Sequence, residues 1–289
     1  MKQPTIAICY DFDMTLSPKN MQEFDFFADL NTTPADFWDE QNAFILKNNV
    51  DGVLGYMYGM VTKAKEKGIL LTKQRLNAYG KNIQLFEGVE TWFSRINNYA
   101  KELGVNVEHY IISSGVKEII EGTAIAKNFK KIYASSFVYG EDGVAVWPAI
   151  SVNYTNKTQY LYRINKGCLE EVDNTINDFI DQQDRMIPFD HMIYIGDSVT
   201  DIPCMRLVMK SGGKSIGVYS SAHRKSYLTD ILKKDKINYV VEANYSKNSP
   251  LEIIVKEIIK SNKIVFNLQE LTNAQKISRN NENNENGEI

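Results

Sequence analysis

Short apolar runs that alternate with helix-like stretches constrain the fold of this chain most strongly. The runs at residues 6–10, 107–112 and 192–195 are rich in large apolar side chains, as buried strands are. Further strand-like runs follow at residues 132–139, 144–147, 215–219 and 239–241. Strands that alternate with helices favour a mostly parallel sheet with helices on both faces. The pattern therefore predicts an α/β fold.

Polar side chains cluster directly after three of these runs. They are, in chain order, Asp11 and Asp13, then Ser113 and Ser114, and finally Asp197 and Asp201. Ligand sites of parallel sheets lie beyond the carboxyl ends of the strands, so these clusters are expected to share one site. Buried carboxylates need a cation or hydrogen-bond donors, and Mg²⁺ prefers hard oxygen ligands. The alternative, that these aspartates are ordinary turn residues, does not explain why the clusters coincide with strand ends.

Composition and charge narrow the class of protein. The chain has 289 residues, which suit one large domain or two small ones, and its 43% hydrophobic and 24% charged residues are typical of a soluble globular protein. A formal net charge of -3 gives no reason to expect nucleic acid or an anionic membrane as a partner. The three cysteines are far apart, which argues against a disulfide framework or a structural zinc site. No run resembles a signal peptide or a membrane span, so a cytoplasmic location is expected.

Residues 17–85 interrupt the α/β pattern. They contain helix-like stretches at 21–30, 34–48, 53–67 and 72–83, with no clear strand alternation. Aromatic side chains recur there at helical spacing, Trp38 among them, and are expected to form core rather than a ligand pocket. The segment is predicted to be a mostly helical insert after the first strand.

Four motifs in a fixed order carry a family resemblance. They are Asp11-Phe12-Asp13-Met14-Thr15, then Ser113 at the end of an apolar strand, then Lys157 at the start of a helix, and Gly196-Asp197-Ser198-Val199-Thr200-Asp201. Each motif is short, but the ordered set resembles the haloacid dehalogenase superfamily, in its phosphoserine phosphatase-like branch. The resemblance covers the whole chain apart from the C-terminal tail.

The resemblance implies a fold and its boundaries. We expect a Rossmann-like three-layer sandwich with a mostly parallel central sheet, formed by residues 1–16 and 86–262. Residues 17–85 would form a helical cap that closes over the site. Residues 263–289 would form the end of the last helix and a disordered tail, because Asn, Glu and Gln dominate there.

The resemblance also implies an activity, that of a Mg²⁺-dependent phosphatase. Asp11 would attack phosphorus and form an aspartyl-phosphate, and Asp13 would protonate the leaving alcohol and later activate water. Mg²⁺ would be held by Asp11, Asp197 and the backbone carbonyl of Asp13. Asp201 would ligate through water or orient the ligands, although a helix N-cap is an alternative for it.

Several residues are expected to bind the phosphate. Ser113 would donate a hydrogen bond to a phosphate oxygen, and Ser114 is the alternative because paired serines leave the register open. Backbone N–H groups near Gly115 would assist at the helix start, and Thr15 is a further candidate for binding substrate.

Two charged residues complete the candidate set. Lys157 would offset the charge of the phosphate, with a surface lysine as the alternative reading and Lys166 as the other candidate. Glu23, just after the first motif, could meet a substrate amine or be an exposed helix charge.

A cap favours a small phosphorylated metabolite over a protein partner. A phosphotransferase or phosphomutase, or a non-catalytic phosphometabolite-binding protein, remain alternatives, and the substrate and oligomeric state cannot be read from the sequence.

Overall fold

A seven-stranded sheet forms the centre of the molecule. The computed structural model describes residues 3–181 and 184–285. The strand order is β4-β3-β2-β1-β5-β6-β7, and only β4 runs antiparallel to its neighbour, β3. The strands are β1 (Thr5–Tyr10), β2 (Asn106–Val116), β3 (Phe129–Tyr139), β4 (Ala145–Ile150), β5 (Met192–Gly196), β6 (Lys214–Tyr219) and β7 (Tyr239–Glu242). The expected α/β fold with a mostly parallel sheet is confirmed.

Helices cover both faces of this sheet. The α-helices of the described residues are α1 (Asp25–Leu30), α2 (Pro34–Asn48), α3 (Gly52–Glu66), α4 (Lys73–Gly80), α5 (Val89–Glu102), α6 (Lys117–Glu121), α7 (Lys157–Lys166), α8 (Ile202–Lys210), α9 (Ala222–Lys233) and α10 (Pro250–Glu285). Apolar residues of α5 and α10 pack on one face, and those of α7, α8 and α9 pack on the other. The three layers expected from the sequence are therefore present.

Strand β1 lies at the middle of the sheet and is buried on both sides. Ile6, Ile8 and Tyr10 belong to the apolar core on one face, and Ala7 and Cys9 to the core on the other. This division follows from the two-residue repeat of a strand. Because both faces are buried, β1 reads as a continuous apolar run rather than an alternating one.

The register of the central strands brings three loops together. Tyr10 is paired with Ile111 of β2 on one side and with Ile195 of β5 on the other. The Asp11 N–H then donates to the Ile195 carbonyl at 2.9 Å. The loops after β1 and β5 therefore start at the same edge of the sheet, next to the end of β2.

The segment between β1 and α5 is helical, as predicted, and contains α1 to α4. Helix α4 lies directly against α6 of the sheet layer. The approach is so close that a Cβ on Gly122 would overlap the Asn77 carbonyl and lie 2.8 Å from the Asn77 Cα. Glycine at this position therefore allows the two backbones to meet. The proposed domain boundaries at residues 16/17 and 85/86 stay a prediction.

A second contact joins the start of α3 to the turn before α7. The Asp51 carboxylate accepts hydrogen bonds from the Val53 and Leu54 N–H groups, which caps α3. It also accepts from the Asn153 side-chain amide at 2.9 Å. The Asn153 carbonyl in turn accepts from the Lys157 N–H at 3.0 Å. The helical segment is thus connected to the first residue of α7.

The C-terminal helix is longer than expected. Helix α10 continues to Glu285, through most of the stretch for which a disordered tail was predicted; residues 286–289 lie outside the described residues. Extending an existing helix adds one hydrogen bond per residue without a new nucleation cost, and Glu, Gln and Lys are good helix formers. None of the described helices combines the length and apolarity needed to cross a bilayer. The cytoplasmic location stays a prediction.

Candidate active site

Three buried carboxylates meet where the loops after β1 and β5 converge. Oxygen atoms of Asp11, Asp197 and Asp201 all lie within 4.8 Å of one another. Asp11 follows β1 directly, Asp197 follows β5, and Asp201 ends a short 3₁₀ helix, Val199–Asp201. Clustered negative charges away from water are unfavourable unless cations or donors offset them. The surroundings of each carboxylate therefore decide what it can do.

Asp11 is held by one backbone donor and one cation. Its Oδ1 accepts from the Phe12 N–H at 2.7 Å, and its Oδ2 lies 3.3 Å from the Lys157 ammonium. Burial and the nearby Asp201 raise the pKa of Asp11 to about 6, against the lowering effect of Lys157. The carboxylate is thus largely ionised near neutral pH in spite of its burial.

Asp197 carries the least compensated charge of the three. Its Oδ1 accepts from the Thr15 hydroxyl at 3.2 Å, and its Oδ2 forms an ion pair with the Arg224 guanidinium. Burial and the charges of Asp201 and Asp11 raise the pKa of Asp197 to about 8, although Arg224 lowers it. Asp197 therefore has most to gain from a further cation.

Asp201 is saturated by donors of the protein itself. Its Oδ1 accepts from the Lys157 ammonium and the Tyr194 hydroxyl, both at 2.8 Å. Its Oδ2 accepts from the Asp197 and Ser198 N–H groups and the Ser198 hydroxyl, at 3.0–3.2 Å. Although burial opposes ionisation, Lys157 and these donors hold the pKa of Asp201 below its usual value. Asp201 thus fixes the loop after β5, and its pairing with Ser198 forms a capping box.

Lys157 is completely buried at the start of α7. Its ammonium lies between Asp11 and Asp201 and also donates to the Thr200 hydroxyl at 3.4 Å. Burial alone would lower the pKa of Lys157, but the two carboxylates raise it above its ordinary value. Lys166 lies elsewhere, with its ammonium donating to the carbonyls of Ile176 and Asp178. The geometry favours Lys157 over Lys166 as the lysine of the site.

Asp13 lies apart from the three-carboxylate cluster. Its Oδ1 accepts from the Met21 N–H at 2.9 Å, which ties it to the start of the helical segment. Burial and the charge of Asp11 raise the pKa of Asp13 well above its usual value, so the carboxyl favours its protonated form. Met14 follows with a φ of 58°, a left-handed conformation that is strained for a side chain of this kind.

The end of β2 supplies both serines. Ser113 is buried, its hydroxyl interacts with the Asp11 carboxyl, and its Oγ accepts from the Gly115 N–H at 3.1 Å. The Ser114 hydroxyl is buried without a hydrogen-bond partner, while its carbonyl accepts from the Tyr56 hydroxyl at 2.6 Å. Ser113 is therefore the serine that contacts Asp11, whereas the Ser114 hydroxyl has no hydrogen-bond partner; the role of Ser113 in binding phosphate stays a prediction.

A cavity of about 180 Å³ opens above these residues. Asp11, Asp13 and Asp197 lie on its core side together with Ser113, Ser114 and Gly115. Asn20, Gln22, Trp38 and Tyr56 line it from the helical segment. The cavity thus lies between the sheet edge and the helices that follow β1.

Two residues expected to bind substrate do not line this cavity. Thr15 is fully buried behind Asp197, and its hydroxyl is used to hold that carboxylate. The half-buried Glu23 accepts a hydrogen bond from the Asn20 side-chain amide at 2.5 Å. Both side chains instead contact residues that line the cavity, Thr15 contacting Asp197 and Glu23 contacting Asn20.

Several cavity residues outside the four motifs were not predicted, Asn20 among them. Trp38 was expected to be core, and its ring does pack on Phe37, but it also reaches the cavity. Gln22 and Tyr56 carry no local motif. Arg224 lies on α9, a helix that the sequence pattern does not reveal because its only buried residues are Leu228 and Ile231. Helical periodicity could have predicted which face of each helix is buried, but not which part of the protein that face packs against.

The charges of the site fit a divalent cation. Four acidic side chains and two cationic side chains meet here, so the acidic groups outnumber the cations by two. They are Asp11, Asp13, Asp197 and Asp201, against Lys157 and Arg224. All the available ligands are carboxylate or carbonyl oxygens, the donor set that Mg²⁺ prefers. The residues present therefore fit Mg²⁺ in both charge and chemistry.

Comparisons with known proteins show which family the sequence matches. The sequence model of the haloacid dehalogenase-like hydrolases matches residues 8–206. An uncharacterized protein of Borreliella burgdorferi is 26% identical over 278 residues, which is 86% of this chain and 95% of that protein.

Solved structures share the fold at low sequence identity. A haloacid dehalogenase family hydrolase from Salmonella enterica serovar Typhi superposes with a TM-score of 0.56 at 16% identity, over 87% of this chain and 70% of that one. A substrate-bound phosphoserine phosphatase superposes with a TM-score of 0.54 at 14% identity, over 88% and 98% of the two chains. These likenesses concern the fold alone.

Proposed function

Because this chain belongs to the haloacid dehalogenase-like hydrolase family, we propose that it is a Mg²⁺-dependent phosphatase that hydrolyses a small phosphomonoester. The observation that carries the proposal is the buried Asp11 carboxylate, held by Lys157 at the floor of a cavity that Asp13 also lines. A nucleophile and a candidate proton donor therefore face the same small space.

Asp11 is the proposed nucleophile. Its Oδ atoms would attack phosphorus and form an aspartyl-phosphate, which water later hydrolyses. Attack by an anion on a phosphate anion requires that their repulsion be offset. Lys157 supports this role because its ammonium, fixed by Asp201, lies within 3.3 Å of Asp11 and cannot turn to solvent. Ser113 beside Asp11 would donate to a phosphoryl oxygen.

Asp13 is the proposed acid and base. Burial and the charge of Asp11 raise the pKa of Asp13, so this carboxyl holds a proton more readily than a free aspartic acid does and can give it to the leaving alcohol. The same carboxylate, once deprotonated, can accept a proton from the water that attacks the aspartyl-phosphate. The hydrogen bond from the Met21 N–H holds Asp13 at the boundary between the core and the helical segment.

Asp11, Asp197 and the backbone carbonyl of Asp13 would hold the Mg²⁺, which when bound supplies positive charge beside the phosphoryl group. Asp201 is better suited to positioning, since donors of the protein already occupy both of its oxygens. Residues 17–85 would act as a cap over the cavity. Closure of such a segment excludes water and favours a small substrate.

The proposal is tested with p-nitrophenyl phosphate, with and without Mg²⁺. We expect hydrolysis that stops on chelation and that falls on the order of 10⁴-fold in Asp11→Asn. The matched control is Asp230→Asn, which changes an exposed carboxylate on α9 and should retain full activity. As a readout independent of turnover, Mg²⁺ should raise the melting temperature of the wild type, because it relieves repulsion among the carboxylates.

Hydrolysis that persists in Asp11→Asn, or that is indifferent to chelation, would contradict the proposal. Transfer of the phosphoryl group to an added alcohol in place of water would instead identify a phosphotransferase. Hydrolysis and transfer are distinguished in the same assay: hydrolysis releases p-nitrophenol and free phosphate in equal amounts, whereas transfer releases more p-nitrophenol than free phosphate.

A further inference from the structure

Unpartnered polar atoms belong to three of the residues that line the cavity. Gln22 Oε1, Trp38 Nε1 and Ser114 Oγ are buried without a hydrogen-bond partner, and all three residues line the cavity. Gln22 is the most enclosed, with a side chain only 2% exposed. A buried polar group without a partner costs about 1–3 kcal/mol, so native proteins keep few of them. Three on the lining of one cavity indicate that a ligand supplies the missing partners.

We call the part of the cavity lining that comprises Asn20, Gln22, Trp38, Tyr56 and Ser114 the distal subsite. Building on the proposed function, we propose that the distal subsite takes an uncharged, hydroxyl-bearing group, so that the substrate is the phosphate ester of a small polyol or sugar. A hydroxyl can donate to Gln22 Oε1 and accept from Trp38 Nε1, and it can do either with the Ser114 hydroxyl. The orphaned atoms therefore comprise an acceptor, a donor and a group that is both.

The charges around the cavity exclude an ionic substituent from this subsite. None of its five residues is charged. The cations of the site are already engaged, Lys157 with Asp11 and Asp201, and Arg224 with Asp197. A substrate carboxylate in the distal subsite would therefore be desolvated without a counter-ion, which is strongly unfavourable.

A substrate ammonium is no better served. The carboxylates that line the cavity, Asp11, Asp13 and Asp197, lie on its core side, and no acidic residue of the helical segment, which the structure describes in full, lines it. Glu23 of that segment is hydrogen-bonded to Asn20 instead. An amino acid phosphate carries both of these charges, so its organic part does not match the subsite. A neutral group of the same length matches the distal subsite.

Shape points to a short carbon skeleton. Trp38 and Tyr56 meet edge to face, with ring centroids 5.9 Å apart, and offer an aromatic wall to the C–H groups of a polyol. The cavity volume of about 180 Å³ is well below the roughly 300–1,000 Å³ typical of sites for drug-sized ligands. A nucleoside would not fit beside the phosphoryl group, whereas a three- or four-carbon chain would.

The test compares two phosphate esters with the same three-carbon length. Glycerol 3-phosphate carries hydroxyl groups where phosphoserine carries an ammonium and a carboxylate. We expect kcat/KM to be at least about tenfold higher for glycerol 3-phosphate. Hydrolysis of p-nitrophenyl phosphate by the wild type and by Asp11→Asn is measured in parallel. This assay reports on the proposed phosphatase activity itself and not on the preference for a substrate.

A variant of the distal subsite gives the second readout. Gln22→Met keeps the length of the side chain and removes its amide, so we expect the ratio of kcat/KM for glycerol 3-phosphate to that for p-nitrophenyl phosphate to fall about tenfold, mainly through KM. Gln41→Met is the matched control, because Gln41 is a buried glutamine of the same helical segment that does not line the cavity. It should leave this ratio unchanged.

The outcomes separate the two proposals. Preference for phosphoserine, or an unchanged ratio in Gln22→Met, would overturn the polyol assignment even with p-nitrophenyl phosphate turned over normally. Failure to hydrolyse p-nitrophenyl phosphate in an Asp11-dependent way would overturn the proposed function itself.

Discussion

Two aspartates of the same motif differ in their charge state because of their immediate neighbours. Asp197 has one hydroxyl donor and one arginine, and its pKa rises to about 8; Asp201 has five donors, and its pKa falls. Spacing in the sequence places both carboxylates at the end of β5, but it does not reveal how many donors each one receives. Only the folded structure therefore shows that Asp197 can still accept a cation, whereas the oxygens of Asp201 are already occupied by hydrogen-bond donors.

A prediction at this scale concerns the two lysines of α7. Lys157→Ala should lower turnover about 10²- to 10³-fold, because it removes the cation beside Asp11. Lys166→Ala should retain turnover within severalfold, since the Lys166 ammonium donates to the loop carbonyls of Ile176 and Asp178 rather than to a carboxylate of the site. The measurement is kcat for p-nitrophenyl phosphate hydrolysis.

Removal of Lys157 also leaves two buried carboxylates uncompensated, so each variant is checked by circular dichroism before its activity is interpreted. Equal turnover in the two folded variants would remove Lys157 from the site. A folded Lys157→Ala with wild-type kcat would do the same.

At the scale of elements, the contact between α4 and α6 fixes the helical segment to the sheet layer. Gly80 and Gly122 lie at this contact, and a Cβ on either would overlap a backbone carbonyl of the opposite helix. Backbone atoms cannot turn aside as a flexible side chain can. The contact is therefore intolerant of even one added methyl group.

Gly122→Ala should lower the free energy of unfolding by about 1–3 kcal/mol, as overpacking does. The φ of Gly122 is -78°, so the effect would not arise from a strained backbone. Gly52→Ala is the matched control, because a Cβ there has no neighbour within 4 Å. It should be neutral or slightly stabilising, since alanine favours helix more than glycine does. Urea denaturation measures both, and equal unfolding midpoints for the two variants would contradict this account.

The strands were easier to predict than the lining of the cavity. Each buried strand is a local apolar run, and parallel strands bring their carboxyl ends together, so the convergence of Asp11, Ser113 and Asp197 follows from the sequence. The positions of Gln22 and Arg224 at the cavity depend on how α9 and the helices after β1 pack, and no local sequence pattern predicts that packing. The predicted disordered tail was wrong as far as Glu285, because composition alone does not show that a preceding helix can continue.

At the scale of the whole molecule, one buried histidine links stability to pH. His109 is 2% exposed; its Nδ1 pairs with the Tyr10 hydroxyl at 3.0 Å and its Nε2 with the Asn97 side-chain oxygen at 2.9 Å. Burial lowers the pKa of His109 from 6.5 to about 3. Because the folded pKa is depressed, the neutral ring contributes stability above pH 6.5 that is lost as the pH falls toward 3.

We therefore expect the wild type to lose about 2 kcal/mol of stability relative to His109→Gln between about pH 7 and pH 5. The raised pKa values of Asp11 and Asp197 act with the opposite sign, since protonation relieves their repulsion, but they are common to both proteins and cancel in the difference. Urea denaturation across this pH range gives the measurement. Parallel pH profiles for the two proteins would show that His109 is not the source.

The hydrogen bonds of Asp51 have a mechanical consequence. One carboxylate anchors both the first turn of α3 and the turn that delivers Lys157 to the carboxylate floor. If residues 17–85 close over the cavity as proposed, a tilt of α3 would displace Asp51 and, through Asn153, the start of α7 that carries Lys157. The proposed closure would then be coupled to the position of the Lys157 ammonium through a single side chain.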